Sequence, residues 1–367
     1  MKRICIRCNR TSTDGNLWCQ EKYCPAEKSP EIFERGEWLG DIEIVELLTV
    51  LRSAAIYKAK RGRQDILLKV AHEGCQEKLK REAKLLLELA GVKHPMLPVL
   101  LPAFAQARLQ DLPYGKTVVQ GCTRYFLVFE FVDGDTLRNL LLKNPQPWYQ
   151  HAGWIALGLA DVITLFHQRQ RLHLCLSPDI VLVRLDKQGI PRIVLLDMGF
   201  AGDVQSIERA WDRRFVPPAY TAPELVEMKG KVGAATDVYG LGLVLYEMLA
   251  GHPAIEFRQE RDENVYTAVL KSQPPATGRA DLKNIPAIAE RAISKDYTSR
   301  QPSPLHFAQE LQANLPRIPR EKKEFQIPWR AIAIVVGTLL ALSLLLVLAV
   351  VLGEETQGGA QLLSAFI

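Results

Sequence analysis

The sequence lacks several features that would assign it to a specialised class of protein. Its formal net charge is only +5 over 367 residues, a mild value that does not suggest nucleic-acid binding, which usually needs a clustered basic face. It has no internal repeat and no long low-complexity tract, which argues against a solenoid. The basic N-terminus is not followed by an apolar stretch, so no secretory signal is indicated. The hydrophobic fraction of 48% and the charged fraction of 24% are those of an ordinary globular protein.

One long stretch lacks charge altogether. Residues 331–353, AIAIVVGTLLALSLLLVLAVVLG, contain no charged side chain. A helix of about 23 residues reaches roughly 34 Å, which is enough to cross the hydrocarbon core of a membrane. The alternative is a buried core helix, but globular helices of this length usually carry a polar face. The stretch therefore predicts a single transmembrane helix.

The charges on either side of this stretch predict its orientation. The residues before it are basic and those after it are acidic: Arg317, Arg320, Lys322, Lys323 and Arg330, then Glu354 and Glu355. By the positive-inside rule, residues 1–330 lie in the cytoplasm, with a basic juxtamembrane linker at 316–330. Residues 354–367 form a short extracytoplasmic tail. We therefore expect a single-pass protein of the cell membrane.

Four of the seven cysteines fall within the first 24 residues, with the spacing C-x2-C-x10-C-x4-C: Cys5, Cys8, Cys19 and Cys24. Disulfides are disfavoured in a reducing cytoplasm, so paired thiols at this spacing favour a tetrahedral structural Zn²⁺. A piece of about 25 residues cannot bury a useful core, and the metal would supply its folding energy. The pattern resembles a small zinc ribbon over residues 1–30. The alternative is a set of unrelated thiols.

The remainder, residues 37–315, changes from strand-like to helix-like patterns along its length. The runs DIEIVELLTV, AAIYKAK, DILLKVA and RYFLVFEFV predict strands, and CQEKLKREAKLLLELAGV predicts a helix among them. After Gly134 the sequence is mainly helical in pattern. A β-rich first part followed by a larger helical part predicts an α+β fold with two lobes.

The order of the motifs in this region resembles the protein kinase superfamily, in particular the serine/threonine kinases. The segment ILLK would place Lys69 on the third strand, and KREAKLL would place its ion-pair partner Glu82 on the next helix. LVFEFVDGDTL is similar to the hinge between the lobes, with Phe129 as the gatekeeper. RLHLCLSPDIVL is similar to the catalytic loop, LLDMGFA to the metal-binding turn with Asp197, and YTAPE to the end of the activation segment. The resemblance implies a bilobal kinase fold over 37–315.

The catalytic loop departs from the family at the positions that carry the chemistry. Phosphoryl transfer needs a carboxylate to accept the hydroxyl proton, a cation on the phosphates and bound magnesium. Cys175 stands at the position of the base Asp, Ser177 at that of the Lys, and Ile180 at that of the Asn. A thiol of ordinary pKa, about 8.5, is largely protonated at neutral pH. Pro217 replaces the Thr of the activation segment, so a whole interacting group is absent and the loop is that of a pseudokinase.

The nucleotide pocket departs from the family as well. Thr49, Leu51 and Ala54 stand where three glycines would cradle the phosphates, and side chains there restrict the backbone. Leu67 stands where a small Ala would roof the adenine, and we expect it to block the base.

The retained motif residues divide into two groups. The resemblance implies that His173 packs beneath the metal-binding turn and that Asp237 caps the catalytic-loop backbone. It also implies an ion pair between Glu224 and Arg300, so that all four residues hold the fold in shape. Lys69, Glu82 and Asp197 have two interpretations: they bind the phosphates of ATP and one Mg²⁺, or they form an ion-pair triad in a closed cleft.

Two minor alternatives concern the catalytic loop. Asp179 could replace the missing base, but the resemblance implies that it points away from the transfer site. Cys175 could be a nucleophile, although a small core residue is the simpler interpretation because no activating neighbour is evident.

Two hypotheses of different class follow for the function. The first is a membrane-anchored pseudokinase that binds an unidentified cytoplasmic protein partner. The second is an enzyme, a serine/threonine kinase or another nucleotidyl transferase that uses ATP through Lys69, Glu82 and Asp197. Structural Zn²⁺ is the expected cofactor in both, ATP with Mg²⁺ only in the second, and nucleic acid in neither.

The membrane prediction can be checked by fractionation. We expect the full-length chain to sediment with membranes, and a cut before Arg330 to release the body, because the charge-free run supplies the apolar surface for insertion. A tag after Ile367 should be accessible only from the non-cytoplasmic side. If tags at the two ends of the chain are both protected or both exposed, the predicted topology is wrong.

Overall fold

The computed structural model describes residues 1–6, 10–12, 24, 29–105, 112–200, 202–203, 211–228, 232–257, 260–282, 284–317 and 336–345. The chain forms two compact units, Met1–Pro319 and Arg320–Ile367. In the second unit, residues 336–345 are helical, and their apolar side chains are exposed. No helix within the described ranges is long and apolar enough to cross a membrane. Most of the predicted span 331–353 lies outside those ranges, so it stays a prediction.

The first unit begins with a small antiparallel sheet. Its strands are β1 (Lys2–Ile4), β2 (Thr11–Ser12) and β3 (Glu31–Ile32), in the order β2-β1-β3. Ile4 and Ile32 are buried in the same apolar cluster as the sheet that follows. An ion pair of 2.5 Å between Arg124 and Glu31 joins the small sheet to that larger one. The N-terminal segment therefore packs on the first lobe.

The first lobe is a seven-stranded antiparallel sheet with one helix. Its strands are β4 (Trp38–Leu39), β5 (Ile42–Val50), β6 (Ala54–Arg61), β7 (Gln64–Ala71), β8 (Leu100–Leu101), β9 (Gly115–Val119) and β10 (Cys122–Glu130). The order is β4-β5-β6-β7-β10-β8, and β9 pairs with β10. Helix α1 (Gln76–Leu89) follows β7. The four strands and the helix predicted from the sequence of this lobe are confirmed.

The second lobe is mainly helical. Its helices are α2 (Leu137–Lys143), α3 (Tyr149–Gln168), α4 (Pro223–Glu227), α5 (Ala234–Ala250), α6 (Asp262–Lys271), α7 (Ile285–Ala292) and α8 (Pro304–Asn314). Its short strands are β11 (Asp135–Thr136), β12 (Arg171–Leu172), β13 (Val181–Leu185), β14 (Pro191–Leu195) and β15 (Gly202–Asp203), paired as β11-β13-β14 and β12-β15. Helix α5 is buried along almost its whole length, as a sequence apolar on every face requires. The predicted α+β fold with two lobes is confirmed.

Two buried polar contacts shape the second lobe, and both were predicted from retained motif residues. The carboxylate of Asp237 on α5 accepts hydrogen bonds from the backbone N–H of His173 at 3.0 Å and of Leu174 at 2.7 Å. Arg300 and Glu224 form a bidentate pair at 2.8 and 2.9 Å. Breaking a buried pair of this kind typically costs about 3–5 kcal/mol, because one charge is left without its partner. The contacts of Asp237 fix the loop that precedes β13, and the pair of Arg300 with Glu224 joins α4 to the segment before α8.

Candidate active site

The three residues that could serve either nucleotide binding or structure meet in one buried cluster. The ammonium of Lys69 on β7 donates to both carboxylate oxygens of Glu82 on α1, at 2.8 and 2.6 Å. It also donates to Oδ2 of Asp197, at 2.6 Å, in the turn after β14. The side chains of Lys69 and Glu82 are only 1% exposed. A strand, a helix and a turn from both lobes therefore share one ion cluster.

A fourth member of the cluster, Lys78, was missed in the sequence. Its ammonium lies 3.0 Å from Oδ1 and 2.9 Å from Oδ2 of Asp197, and its side chain is 4% exposed. Lys78 precedes Glu82 by four residues on α1, a spacing that places two side chains on the same helix face. That spacing was the available signal, because it predicts that Lys78 points in the same direction as Glu82.

The charges of the cluster stabilise one another. Burial raises the pKa of Asp197, but the ammonium groups of Lys69 and Lys78 outweigh burial and hold that pKa well below its ordinary range. Burial lowers the pKa of Lys78, but Asp197 and Glu82 outweigh it and raise the pKa to about 12. The stabilisation from Asp197 is therefore present above the ordinary aspartate pKa and is lost as the pH falls. That from Lys78 is present below the ordinary lysine pKa and is lost as the pH rises towards 12.

The residues around Asp197 do not fit a magnesium site. Mg²⁺ is held in proteins by oxygen ligands, usually carboxylates together with water and phosphate. Both carboxylate oxygens of Asp197 face Lys78, and Oδ1 also accepts the N–H of Gly199 at 2.7 Å. Ile180, at the position of the second metal ligand, offers no side-chain oxygen and is buried.

The turn around Asp197 depends on Gly199. This glycine has a φ of +59°, and a Cβ there would lie 2.2 Å from the carbonyl oxygen of His173. His173 donates from Nε2 to the carbonyl oxygen of Asp197 at 2.9 Å, and its Nδ1 accepts the N–H of Cys175 at 3.2 Å. Burial lowers the pKa of His173, in keeping with a neutral ring that donates from one nitrogen and accepts at the other. His173 thus packs beneath the turn, as predicted.

The positions that would enclose an adenine base carry buried apolar side chains. These residues belong to one continuous core that joins the two lobes: Leu48, Ile56, Leu67, Phe129, Leu182 and Leu196. Leu67 lies opposite Phe129 in the pairing of β7 with β10. Leu67 is therefore buried at the predicted roof of the base, and its blocking of the base stays a prediction.

The turn between β5 and β6, which replaces the glycine-rich loop, has its own backbone partners. The N–H of Leu51 donates to the carbonyl oxygen of Ala54 at 2.8 Å, and Nε2 of His72 contacts the carbonyl oxygen of Leu51 at 2.9 Å. Arg52 makes a two-point contact with Asp262 on α6, at 2.8 and 3.1 Å. This contact ties the turn to the second lobe. No local pattern in the sequence predicts it.

The substituted residues of the catalytic loop lie in the core. Cys175, Ser177 and Ile180 are all buried. Burial, with a smaller contribution from Asp197, raises the pKa of the Cys175 thiol to about 12. A neutral thiol is neither a proton acceptor nor an activated nucleophile at physiological pH.

Asp179 takes part in an ion pair with α2. Its carboxylate is held by Arg138, at 3.2 and 3.3 Å. Arg138 also contacts Glu247 and donates to the hydroxyl of Tyr220 at 2.5 Å. Asp179 and Cys175 border one cavity, so the predicted orientation of Asp179 away from the transfer site stays a prediction. No sequence motif singled out Arg138.

A cavity of about 1110 Å³ opens beside the cluster. Lys78, Cys175, Ser177 and Asp197 all border it. Apolar side chains from the small N-terminal sheet, β5 and the second lobe form much of the wall, among them Ile4, Phe33, Leu47, Phe215, Pro217 and Phe257. The substituted residues Cys175 and Ser177 therefore lie next to an open space.

The predicted zinc ligands are only partly within the described residues. Sγ of Cys5 lies 3.6 Å from Sγ of Cys24, too far for a disulfide, whose S–S bond is about 2.05 Å. Zn–S bonds of about 2.3 Å in a tetrahedron place two sulfurs roughly 3.8 Å apart. Cys8 and Cys19 lie outside the described residues. Among the residues that are described, no group of three or more His, Cys, Asp or Glu side chains is arranged to hold a metal.

The two lobes, the Lys–Glu pair on β7 and α1, and the loop fixed by Asp237 together define a protein kinase fold. The protein kinase domain family matches residues 55–301, well over half of the chain, and the chain belongs to this family.

Relatives of this chain include serine/threonine kinases. It is 27% identical over 217 residues to a cAMP-dependent protein kinase catalytic subunit of Dictyostelium discoideum, a match covering 58% of this chain and 29% of the relative. It is 27% identical over 256 residues to CBL-interacting serine/threonine-protein kinase 5 of Arabidopsis thaliana, covering 65% and 51%. The chain thus spans between about a quarter and about half of the length of these relatives.

Solved structures show the same fold. The kinase domain of Mycobacterium tuberculosis PknI superposes with a TM-score of 0.53 at 19% sequence identity, covering 77% of this chain and all of that domain. At this identity the likeness concerns the fold alone.

The state of Cys175 can be measured by alkylation. We expect iodoacetamide at pH 8 to modify Cys175 on the order of a thousandfold more slowly in the native chain than in denaturant. A thiol of pKa about 12 has almost no thiolate at that pH, whereas an unperturbed thiol has a substantial fraction. Peptide mass spectrometry follows the modification, and the exposed Cys122 serves as the internal control. Native Cys175 reacting as fast as Cys122 would support the nucleophile hypothesis instead.

Proposed function

We propose that this member of the protein kinase family is a pseudokinase, a membrane-anchored module that binds a cytoplasmic protein partner and does not transfer phosphate. The observation that carries the proposal is the ion cluster, in which the ammonium groups of Lys69 and Lys78 bind Asp197 at 2.6–3.0 Å. In an active kinase the equivalent Asp has to bind metal and the Lys has to bind phosphate. Here each of these groups already has a protein partner.

The catalytic loop supports the same proposal. Cys175 is a buried neutral thiol at the position of the base, and Asp179, the nearest carboxylate in the loop, is paired with Arg138. The positions that would enclose the adenine carry buried apolar side chains, and we expect Leu67 among them to block the base. Base, metal site and nucleotide pocket are therefore all altered, whereas the contacts that hold the fold, such as that of Arg300 with Glu224, are retained.

The alternative is an active serine/threonine kinase or another nucleotidyl transferase. It is favoured by the intact pair between Lys69 and Glu82, at 2.6–2.8 Å, and by the kinases among the relatives. For this activity, Lys78 would have to leave Asp197 and the core around Leu67 would have to open. The pseudokinase proposal needs no such rearrangement of buried groups.

The proposal places the kinase-like body on the cytoplasmic face of the cell membrane, anchored by the span 331–353. The N-terminal segment 1–30 would be a structural zinc ribbon, and the spacing of 3.6 Å between the sulfurs of Cys5 and Cys24 supports two of its four ligands. Because four protein thiolates leave no open coordination position, this zinc would stabilise structure and would not catalyse a reaction.

The zinc proposal is checked by metal analysis of the full-length chain. We expect about one Zn²⁺ per chain, lost when Cys8→Ser and Cys19→Ser are combined, because two thiolates do not complete a tetrahedral site. Replacing Cys122, which is exposed, by Ser is the matched control and should leave the zinc content unchanged. A chain free of metal whose N-terminal segment nevertheless resists protease would contradict the proposal.

The nucleotide response separates the two functions. A ligand with a Kd of about 10 μM, present at about 1 mM, stabilises by roughly 2.7 kcal/mol, which for a body of this size raises Tm by about 4–5 °C. We expect ATP with Mg²⁺ to raise the Tm of the full-length chain by less than about 1 °C. Leu67→Ala should increase the shift, because it removes one of the side chains that fill the base pocket.

Two results would favour the enzyme. One is a full-sized Tm shift in the unaltered chain that Lys69→Ala removes. The other is autophosphorylation with labelled ATP that Asp197→Ala abolishes. Absence of a shift in both the unaltered chain and Leu67→Ala would leave the pseudokinase proposal in place and show that Leu67 is not the side chain that blocks the base.

A further inference from the structure

Lys78 occupies a position that a lysine rarely takes. Its side chain is 4% exposed, and its ammonium contacts both carboxylate oxygens of Asp197. A buried ammonium is costly unless it is paired and hydrogen-bonded. The flexible stem of lysine could reach solvent from many helix positions, yet here the charged end points inward. The contact with Asp197 is therefore what retains this charge inside.

The charge count shows what the contact replaces. Within the described residues the cluster holds two carboxylates, Glu82 and Asp197, and two ammonium groups, Lys69 and Lys78. Without Lys78 the same cluster would carry one excess negative charge beside an open cavity of about 1110 Å³. An excess carboxylate charge at the edge of a cavity is the setting in which an oxygen-seeking divalent cation binds.

The directions of the contacts also place Lys78 where a cation would bind Asp197. Lys78 lies at 3.0 and 2.9 Å from the two oxygens of Asp197, so it sits across the carboxylate as a chelated cation would. Lys69 approaches Oδ2 and the N–H of Gly199 approaches Oδ1. Each oxygen therefore has a second donor besides Lys78, and Lys78 and Asp197 both border the cavity.

We propose that Lys78 is a built-in cation that takes the place of a divalent metal ion at Asp197 and keeps this cleft free of metal. The inference goes beyond the proposed function, because it concerns a metal site and holds whether or not a partner protein binds elsewhere. It also makes a specific claim about one residue: removing the ammonium of Lys78, while keeping its length, converts Asp197 into a site for a divalent cation.

The test is titration of the full-length chain with Mn²⁺ alone, followed by the loss of the free-ion electron paramagnetic resonance signal. The unaltered chain should bind no Mn²⁺ that depends on Asp197. Lys78→Met, which preserves the length and the apolar stem, should bind one Mn²⁺. Its affinity should be at least about tenfold higher than that of any Mn²⁺ binding by the unaltered chain. Lys78→Met combined with Asp197→Asn should lose that binding.

Two control variants establish that the gain of binding belongs to the charge of Lys78. Lys84→Met changes an exposed lysine of the same helix and should leave Mn²⁺ binding as in the unaltered chain. Lys78→Arg keeps a positive charge and should also bind no additional ion. Circular dichroism establishes that each variant is folded before it is titrated.

Two outcomes would overturn the inference. The first is binding of Mn²⁺ by the unaltered chain that Asp197→Asn abolishes, since the metal position would then be open despite Lys78. This outcome decides the matter even if Lys78→Met does not fold. The second is a folded Lys78→Met variant that gains no Mn²⁺. Neither measurement contains nucleotide, so failure here is distinct from failure of the proposed function, which would appear as phosphorylation with labelled ATP.

Discussion

The ion cluster around Asp197 is the interaction on which the closed arrangement of this protein depends. Lys69 and Lys78 belong to β7 and α1 of the first lobe, and Asp197 belongs to the second. In a low-dielectric interior such charges are stable only together, because any one of them left alone carries a large desolvation cost. Separating the lobes would divide the cluster and expose or strand its charges. The two lobes are therefore held together by electrostatics in the place where an active kinase would hold its nucleotide.

The apolar core around the cluster has the same consequence. Leu67 from the first lobe and Leu182 and Leu196 from the second are buried in one continuous core. Opening a space for a base would break many small contacts and leave a cavity whose cost rises with its volume. The ion pair of Arg52 with Asp262 adds a further contact between the two lobes. The continuous core and the paired charges therefore both join the two lobes.

The sequence predicted the parts of the site that recur at a fixed place in a motif. Lys69 and Glu82 were assigned to one ion pair because strand and helix motifs fix their positions, and Asp237 was assigned to the catalytic-loop backbone for the same reason. Lys78 was not predicted, because helix periodicity gives the direction of a side chain and not the depth at which its charge comes to rest. Arg52 contacts Asp262, 210 residues away in the chain, and no local pattern encodes such a contact. The packing of the core between the lobes likewise depends on how closely the lobes approach, which no local pattern encodes.

The pattern of loss and retention separates chemistry from architecture within one loop. His173, whose ring donates to the carbonyl oxygen of Asp197, is retained, while Cys175, two residues further on, has lost the function of a base. The requirement on His173 is geometric, because it packs so closely on the turn that a Cβ at Gly199 would lie 2.2 Å from its carbonyl oxygen. The requirement on Cys175 is only that it be small and buried. A loop that keeps His173 and carries Cys175 in place of a base retains its geometry without that catalytic group. Under the proposed pseudokinase function, this retained shape would act through contacts that the surface of the fold makes with a partner.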